Sequence, residues 1–593
     1  MGWPNENVGS GASLTPFPAN GLYPDGEVYY VDTAGSDSNL GTSESPFLTV
    51  AYAASQVTTP GSTIYVNAGT YLETAQIVLS VGVSLMGAGV TSIIKANYAA
   101  DKILYLNSTV EGTDGNQSIS YLKFDGNALT GINGIYIQGR SNVKIFHVTA
   151  VDWLNNFVTF NGRGDNSYCF SPKRFAVGNR LYNCSISNCD RYVTNGSGAV
   201  QYGGQDGIEI YNNVITSNRG NSSQTGWPIK YYLSGYNKND KIYNNNLTKP
   251  DMDGTGGFGF LIEMWHGLGG TEVYSNTLTG GAMDANCYDK GSSEYSLDFY
   301  DNVMKSASMA TVFTCCLSLE SSADDVIFRN NFVYNCAAGG AAVYTYSHLT
   351  QPHYNNIKIF NNIVVDSRLT VHSASGTGST ATFNNWLIAN NTIYRNTAGT
   401  QAIMLPRYGK SSNIQVRNNI VSGFTTSAVE YDGGSTATLD NVSIENNLFY
   451  NCGNSNLFKI SGASQPTNVT TQNQVNTNPA FVDVANGVVA TAMTANKLYR
   501  IASIGTTDFT LIGAASNTVG LWFKATGAGT GTGTADALDL RIPVGSPAVN
   551  IGIQVGLNVD YRGLRRTSLP DAGALEYDEN ADGTNVAQPL LLS

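Results

Sequence analysis

Residues 357–367 read IKIFNNIVVDS, 414–423 read IQVRNNIVSG, and 442–452 read VSIENNLFYNC. One asparagine keeps returning between two short β-prone runs. It falls at Asn213, Asn245, Asn276, Asn302, Asn331, Asn362, Asn391, Asn419 and Asn447, at intervals of 32, 31, 26, 29, 31, 29, 28 and 28 residues. Cys184, in LYNCSIS, holds the equivalent place 29 residues before Asn213. Self-similarity at a period near thirty marks a solenoid. The flanking runs are rich in Val, Ile, Phe, Tyr and Thr and alternate, which reads as strand. Gly, Ser and Asp turns separate them. The helical signals that leucine-rich, ankyrin and tetratricopeptide repeats need are missing. A parallel β-helix remains, with about three short strands per coil and coils about 4.8 Å apart. A bend repeated in every coil suits a side chain that tolerates the left-handed region, and asparagine is one. Stacked amides then donate from coil to coil as a ladder, which avoids a penalty of about 1–3 kcal/mol for each buried unpaired group.

Composition narrows the function classes. Charged residues make up 13% of 593, about half the usual quarter, and 34 tyrosines are present. A disordered chain would be more charged and poorer in aromatics. The formal charge is −12 and no basic stripe occurs, so binding to nucleic acid through its phosphates is not expected. No run of 18 apolar residues occurs, so membrane insertion is not expected either. The opening MGWPNENVGSGASLTPFPANG lacks the basic and apolar regions of a Sec leader. Eight cysteines, at 169, 184, 189, 287, 315, 316, 336 and 452, show no CxxC and no ligand spacing with the five histidines. No metal site is expected from them. Cys189, Cys336 and Cys452 share one phase of the repeat. Cys336 and Cys452 lie four coils apart, about 19 Å, beyond disulfide reach, so these are expected as buried thiols.

Both ends carry a resemblance. Residues 28–89 begin VYYVDTAGSDSNLGTSESPF and run through GSTIYVNAGTY to SLMGAG. This stretch resembles the opening of right-handed parallel β-helix proteins of the pectate-lyase-like superfamily. It implies a cap, with a short helix about Pro46–Gln56, over the first coil's open edge. NPAFVD (478–483) and SPAVNIGIQVGLNVDYRG…DAGALEYD (546–578) resemble the closing coils of that superfamily. Between them, YRIASIGTTDFTLIGAASNTVGLWFKATGAGTGTGTA resembles a segment found in bacteriophage structural and tail proteins. The expected class is therefore all-β. It is a right-handed single-stranded parallel β-helix solenoid, with an N-terminal cap and a small inserted β module near the C-terminus. The expected divisions are an arm (1–26), cap and first coils (27–99), β-helix with ladder (100–486), inserted module (487–536), closing coils (537–578) and a tail (579–593). The resemblance implies a phage tailspike or tail fibre in the virion. It would bind, and in some relatives cut, a bacterial surface polysaccharide, contact other tail proteins and form a homotrimer. A secreted extracellular bacterial lyase or hydrolase, and a purely structural fibre, are the alternatives.

In a β-helix, outward side chains of successive coils form columns, and a polar, aromatic column is a groove for an extended glycan. Just upstream of the ladder strands, Lys230, Glu263, Glu320, Tyr346, His372, Arg407 and Glu430 are placed on roughly one face. Glu263 and Glu320 each end an apolar strand (FLIE, LSLE) two coils apart, about 9–10 Å between backbones. That suits the 6.5–9.5 Å carboxyl separation of inverting glycosidases. Asp284 or Asp289, on the intervening coil, stands in for either member. Trp265 and His266 adjoin Glu263 and, with Tyr344 and Tyr346, offer surfaces for a sugar. A lyase would instead use Lys230, His372 or Arg407 to neutralise a uronate and draw off a proton. The NTD, GHG and RIK signatures of polygalacturonases are absent. No cofactor is called for. VDTAGSDSN (31–39) carries oxygen ligands suited to calcium but lacks EF-hand spacing, and reads better as an Asp/Ser/Gly turn.

Overall fold

The computed structural model describes residues 26–578 apart from 99–100, 164–174, 191–197, 218–225, 232–235, 250–259, 266, 268, 287–295, 306–314, 321, 335–340, 347–351, 373–380, 435–436, 454–457 and 474. The tail 579–593, and all of the N-terminal arm but Gly26, lie outside the described residues, as do Cys169, Cys287 and Cys336.

From Val28 to Gln472 the chain winds as a parallel β-solenoid, the expected fold class. Its strands fall into an 18-stranded and a 26-stranded sheet, each strand hydrogen-bonded to the equivalent one a coil away. Strand alternation fills the interior. Ile242, Leu247, Val273 and Leu278 are the inward members of short strands and are fully buried in one continuous core. Before the first coil, the helix Val50–Gln56 buries Val50, Ala53 and Ala54. Its N-terminal amides are held by the buried Glu73, which accepts from Val50 N (2.8 Å) and Ala51 N (3.2 Å). VDTAGSDSN is a turn in this cap. Asp32 accepts from Ala34 N, and Asp37 accepts from Leu48 N and Thr49 N.

The ladder runs unbroken from Asn213 to Asn447. Each side-chain nitrogen donates to the Oδ1 of the next member at 2.9–3.2 Å. That same Oδ1 accepts the backbone N–H of the preceding member at 2.9–3.0 Å. The second side-chain hydrogen goes to a backbone carbonyl, as from Asn331 to Phe299 O at 3.0 Å. Cys184 opens the series, its N–H donating to Asn213 Oδ1. The sequence reading gave the bend and the ladder to one residue; the structure divides them. The left-handed residue is the one before: Asn212, Asn244, Ser275, Asp301, Asn330, Asn361, Asn390, Asn418 and Asn446, with φ of 53–56°. Two jobs in adjacent positions explain why asparagine comes in pairs.

Two further columns emerge. Asp325, Asn356, Asn385, Asn413 and Asn441 take the left-handed conformation at another corner and form an exposed amide ladder. Phe146, Tyr182, Tyr211, Tyr243, Tyr274 and Tyr300 stack on one outer face with ring centroids 4.8–5.0 Å apart and nearly parallel planes. Arg329 closes that stack, its guanidinium 3.9 Å from the Tyr300 ring centre. Cys184 and Cys189 are buried free thiols and Cys452 is partly buried. Cys189 and Cys452 each donate from Sγ to a carbonyl two residues back, at Ser187 and Tyr450.

Residues 488–537 form a small antiparallel sheet with its own core around Phe509 and Phe523. It packs through Leu498 and Trp522 onto Phe332, Tyr334, Ile363 and Val365 on the outside of the solenoid. Arg500 joins it there, bonded to Asp366 and to Asp536. The expectation of closing coils over 537–578 is corrected. This stretch adds no coil but runs back along the ladder corner. Asn361, Asn390, Asn418 and Asn446 donate to the carbonyls of Val559, Asp571, Ile553 and Ile551. Buried Arg566 links Glu576 (2.7 Å) to Asn361 Oδ1 (2.8 Å). In these coils the left-handed asparagine thus points outward and pins the returning chain.

Asn362→Ala removes a buried donor pair and the acceptor of Asn331 N–H, and leaves their partners unmet. It is expected to cost about 2–4 kcal/mol, seen as a lowered denaturant midpoint. Asn413→Gly, in the exposed ladder, keeps the backbone conformation and is expected to stay within about 0.5 kcal/mol of the parent.

Candidate functional site

The strands Ile229–Tyr231, Phe260–Trp265, Ala282–Asn286, Cys315–Glu320, Ala341–Tyr346 and Arg368–His372 pair in sequence. Ile229, Tyr231, Ile262, Met264, Met283, Ala285, Leu317 and Leu319 point into the core. Their alternates therefore face outward, and register sets Gln201, Lys230, Glu263, Asp284, Ser318, Tyr344 and Val371 in one row. Beside that row Trp227, Phe260, Ala282, Ala341, Tyr344, Val371 and Met404 form an apolar cluster. The outer face is itself buried here: Lys230, Glu263, Asp284 and Glu320 are 4%, 4%, 0% and 7% exposed.

Charge is unevenly matched in this row. Lys230 Nζ lies 2.6 Å from Glu263 Oε2 and 4.1 Å from the centre of the Trp227 ring. Glu263 and Asp284 are in-register neighbours. Asn286 pairs with Glu320, so Glu320 lies diagonal to Asp284. Asp284 therefore sits among two other carboxyls, with the Ser318 hydroxyl nearby. Its carboxyl oxygens fall short of strict hydrogen-bond geometry, and the side chains closest to bonding them are the Glu320 carboxyl and the Ser318 hydroxyl. Burial, then the Glu320 and Glu263 carboxylates, hold its pKa well above the ordinary aspartate value; the Ser318 hydroxyl pulls weakly the other way. The group thus holds its proton more tightly than an ordinary aspartate, and it is aimed into the outer face.

The pairing of Glu263 with Glu320 is corrected by register. They differ by two strands and two residues along the strand, about 12 Å between backbones, with Asp284 between. Asp284 and Glu320 differ by one strand and two residues, about 8 Å. Tyr344 is buried in the apolar cluster, and Tyr346, half-buried, is in register with Glu320. The Trp265 side chain, His266 and Asp289 lie outside the described residues.

Three expected groove residues take no part in the Asp284 cluster. His372 pairs with Thr345 on the inward side, bonded through Nδ1 to Thr345 Oγ1 (2.8 Å) and through Nε2 to Met404 O (3.0 Å). Its ring meets the edges of core residues Phe383 and Trp386. Burial lowers its pKa to about 3, so it is a neutral core residue and not a sugar ligand. Arg407 is occupied by Asp432 at 2.9 Å. Glu430 shares the outer row but lies five strands from Asp284, about 24 Å away, paired with Lys459 at 3.1 Å. Sequence reasoning missed Ser318, Trp227 and the apolar cluster. Their only signal was a second, outward alternation of apolar residues.

Among the described residues no group of three or more His, Cys, Asp or Glu is arranged to hold a metal ion. No helix there is long and apolar enough to cross a membrane.

The family described as Disaggregatase related matches residues 323–536. The uncharacterized protein YwoF of Bacillus subtilis (strain 168) is 24% identical over 238 residues, which is 37% of this chain and 47% of that protein. The chain thus spans about half the length of the curated relative it matches. Among solved structures, the tailspike protein of E. coli bacteriophage HK620 in complex with a pentasaccharide is 11% identical with a TM-score of 0.48, covering 84% of this chain and 92% of that one. XylC in complex with xylose is 11% identical with a TM-score of 0.37, covering 93% and 98%. At such scores no residue role passes from those chains to this one.

Asp284 binds a proton more tightly folded than unfolded, so it draws stability from the fold as pH rises. That loss begins above the unfolded aspartate pKa of about 3.9 and continues until the folded group ionises. Asp284→Asn is expected to be more stable than the parent at neutral and alkaline pH and equal to it at the acid end. Melting temperatures across pH check this.

Proposed function

We propose that the chain binds a bacterial surface polysaccharide along the outer face of Lys230–Tyr346 and hydrolyses a glycosidic bond there. One observation carries the reading: a fully buried carboxyl, Asp284, held beside a second acid, Glu320, on an outward row. A structural role gives little reason to bury an acid whose side-chain partners are a second carboxyl and one hydroxyl, whereas acid–base chemistry needs an acid that holds its proton more tightly than usual. In the proposed step Asp284 gives its proton to the leaving glycosidic oxygen. The bond from that oxygen to the anomeric carbon breaks. Water attacks that carbon and passes its proton to the Glu320 carboxylate. Lys230 fixes Glu263, whose charge helps keep Asp284 protonated. Lyase chemistry is less well supported: Lys230 and Arg407 are each matched to a carboxylate, and His372 faces inward. The insert's resemblance to bacteriophage tail segments supports placing this activity on a virion appendage that assembles as a homotrimer with other tail proteins.

A panel of purified bacterial capsular and lipopolysaccharide glycans, incubated with the protein and then sized, tests the reading. The expected result is shorter chains with new reducing ends and no absorbance from unsaturated uronates. Asp284→Asn and Glu320→Gln are each expected to lower turnover about 10²–10⁴-fold while binding is kept. Turnover of the parent should fall with rising pH, because the acid form of Asp284 is the active one. Unsaturated products, or full activity in Asp284→Asn, would remove the proposal.

A further inference from the structure

Cations are scarce where the proposed chemistry lies. The strands Phe260–Trp265, Ala282–Asn286, Cys315–Glu320 and Ala341–Tyr346 contain Glu263, Asp284 and Glu320 but no lysine or arginine. The neighbouring strand Ile229–Tyr231 supplies Lys230, whose ammonium is already held by Glu263 at 2.6 Å and lies over the Trp227 ring. Both partners of that pair are buried. Drawing the ammonium toward a ligand would leave Glu263 a buried charge beside Asp284, a costly exchange. The next cation on this run of paired strands, Arg368, stands three strands and three residues from Asp284. That is about 17 Å between backbones, too far to match a group bound at Asp284.

We infer that the glycan cut on this face carries no anionic group at the residues flanking the cleaved bond, a conclusion that rests on the hydrolytic reading of Asp284 and Glu320. A carboxylate, phosphate or sulfate there would give up its hydration and meet like charge. At about 5–6 Å from one carboxylate, and with an effective dielectric of about 20, that repulsion is worth about 10²-fold in affinity. Hydroxyl groups reverse the balance. An ionised carboxylate only accepts, and each sugar hydroxyl brings an O–H to donate, in a bond that the charge strengthens. Ser318 and Tyr344, next in the outward row, are uncharged as well. The chemistry therefore selects a neutral polysaccharide over one built from uronates or bearing acidic substituents.

Matched polymers that differ only in charge test this. Acidic capsular polysaccharides are compared with the same polymers after reduction of every carboxyl to the primary alcohol, alongside neutral lipopolysaccharide chains. Binding is measured by calorimetry and cutting by product size. The neutral and reduced polymers should be bound and shortened, and each native acidic polymer should bind about 10²-fold more weakly than its reduced form. Glu263→Gln leaves the Lys230 ammonium to the ligand and should narrow that gap at least tenfold. Equal or tighter binding of the acidic forms would overturn the inference, as would an unchanged gap in a Glu263→Gln protein that melts like the parent. Cutting confined to acidic polymers would remove this inference and leave hydrolysis standing. Failure to bind any of the polymers would remove the hydrolytic reading and the substrate class together.

Discussion

The hydrogen bond from one asparagine side chain to the next is the constraint from which the other columns follow. Because each Oδ1 takes both the amide of its neighbour's side chain and that neighbour's backbone N–H, adjacent coils cannot slip past one another without breaking two buried bonds per coil. A slip of one residue would also turn every strand inside out. Fixed register at one corner propagates around the coil. It stacks the tyrosines at 4.8–5.0 Å on one face and lines up Lys230, Glu263 and Asp284 on another.

Electrostatics then separates one part of the outer row from the rest. At Glu430 and at Asp432 a cation matches the carboxylate. Around Asp284, Glu263 and Glu320 add two further carboxyls, and the ammonium of Lys230 is held by Glu263. In a site removed from water, like charges at this spacing cannot all persist, so one acid keeps its proton. Asp284 is that acid because it is the most deeply buried and lies between the other two. An aspartate that holds its proton more tightly than usual thus arises from strand register.

The paired asparagines serve two systems. The second of each pair builds the inner ladder. The first bends the chain, and in the later coils it also holds the returning segment against the solenoid. The return path matters for the architecture. It covers the corner of the last coils and supports the small antiparallel sheet through Trp522 and Arg500.

The sequence by itself determined the winding. A period near thirty, β-prone flanks and an in-phase asparagine leave a parallel β-solenoid as the fold that satisfies all three. The cap helix, the separate character of residues near 487–536 and the candidacy of Glu263, Asp284 and Glu320 could likewise be read from residues. Tertiary structure decided which way side chains point where both faces of a strand are buried. In RLTVH (368–372) the sequence reading placed His372 on the outward groove face. The structure reverses this, because the outer face carries its own apolar cluster and the interior offers His372 two partners. Alternation marks the solvent side only when there is one. For the same reason the diagonal between Asp284 and Glu320 was not legible: it depends on pairing register between strands far apart in sequence. The path of residues 538–577 was decided by long-range bonds to Asn361, Asn418 and Asn446, which local sequence does not encode.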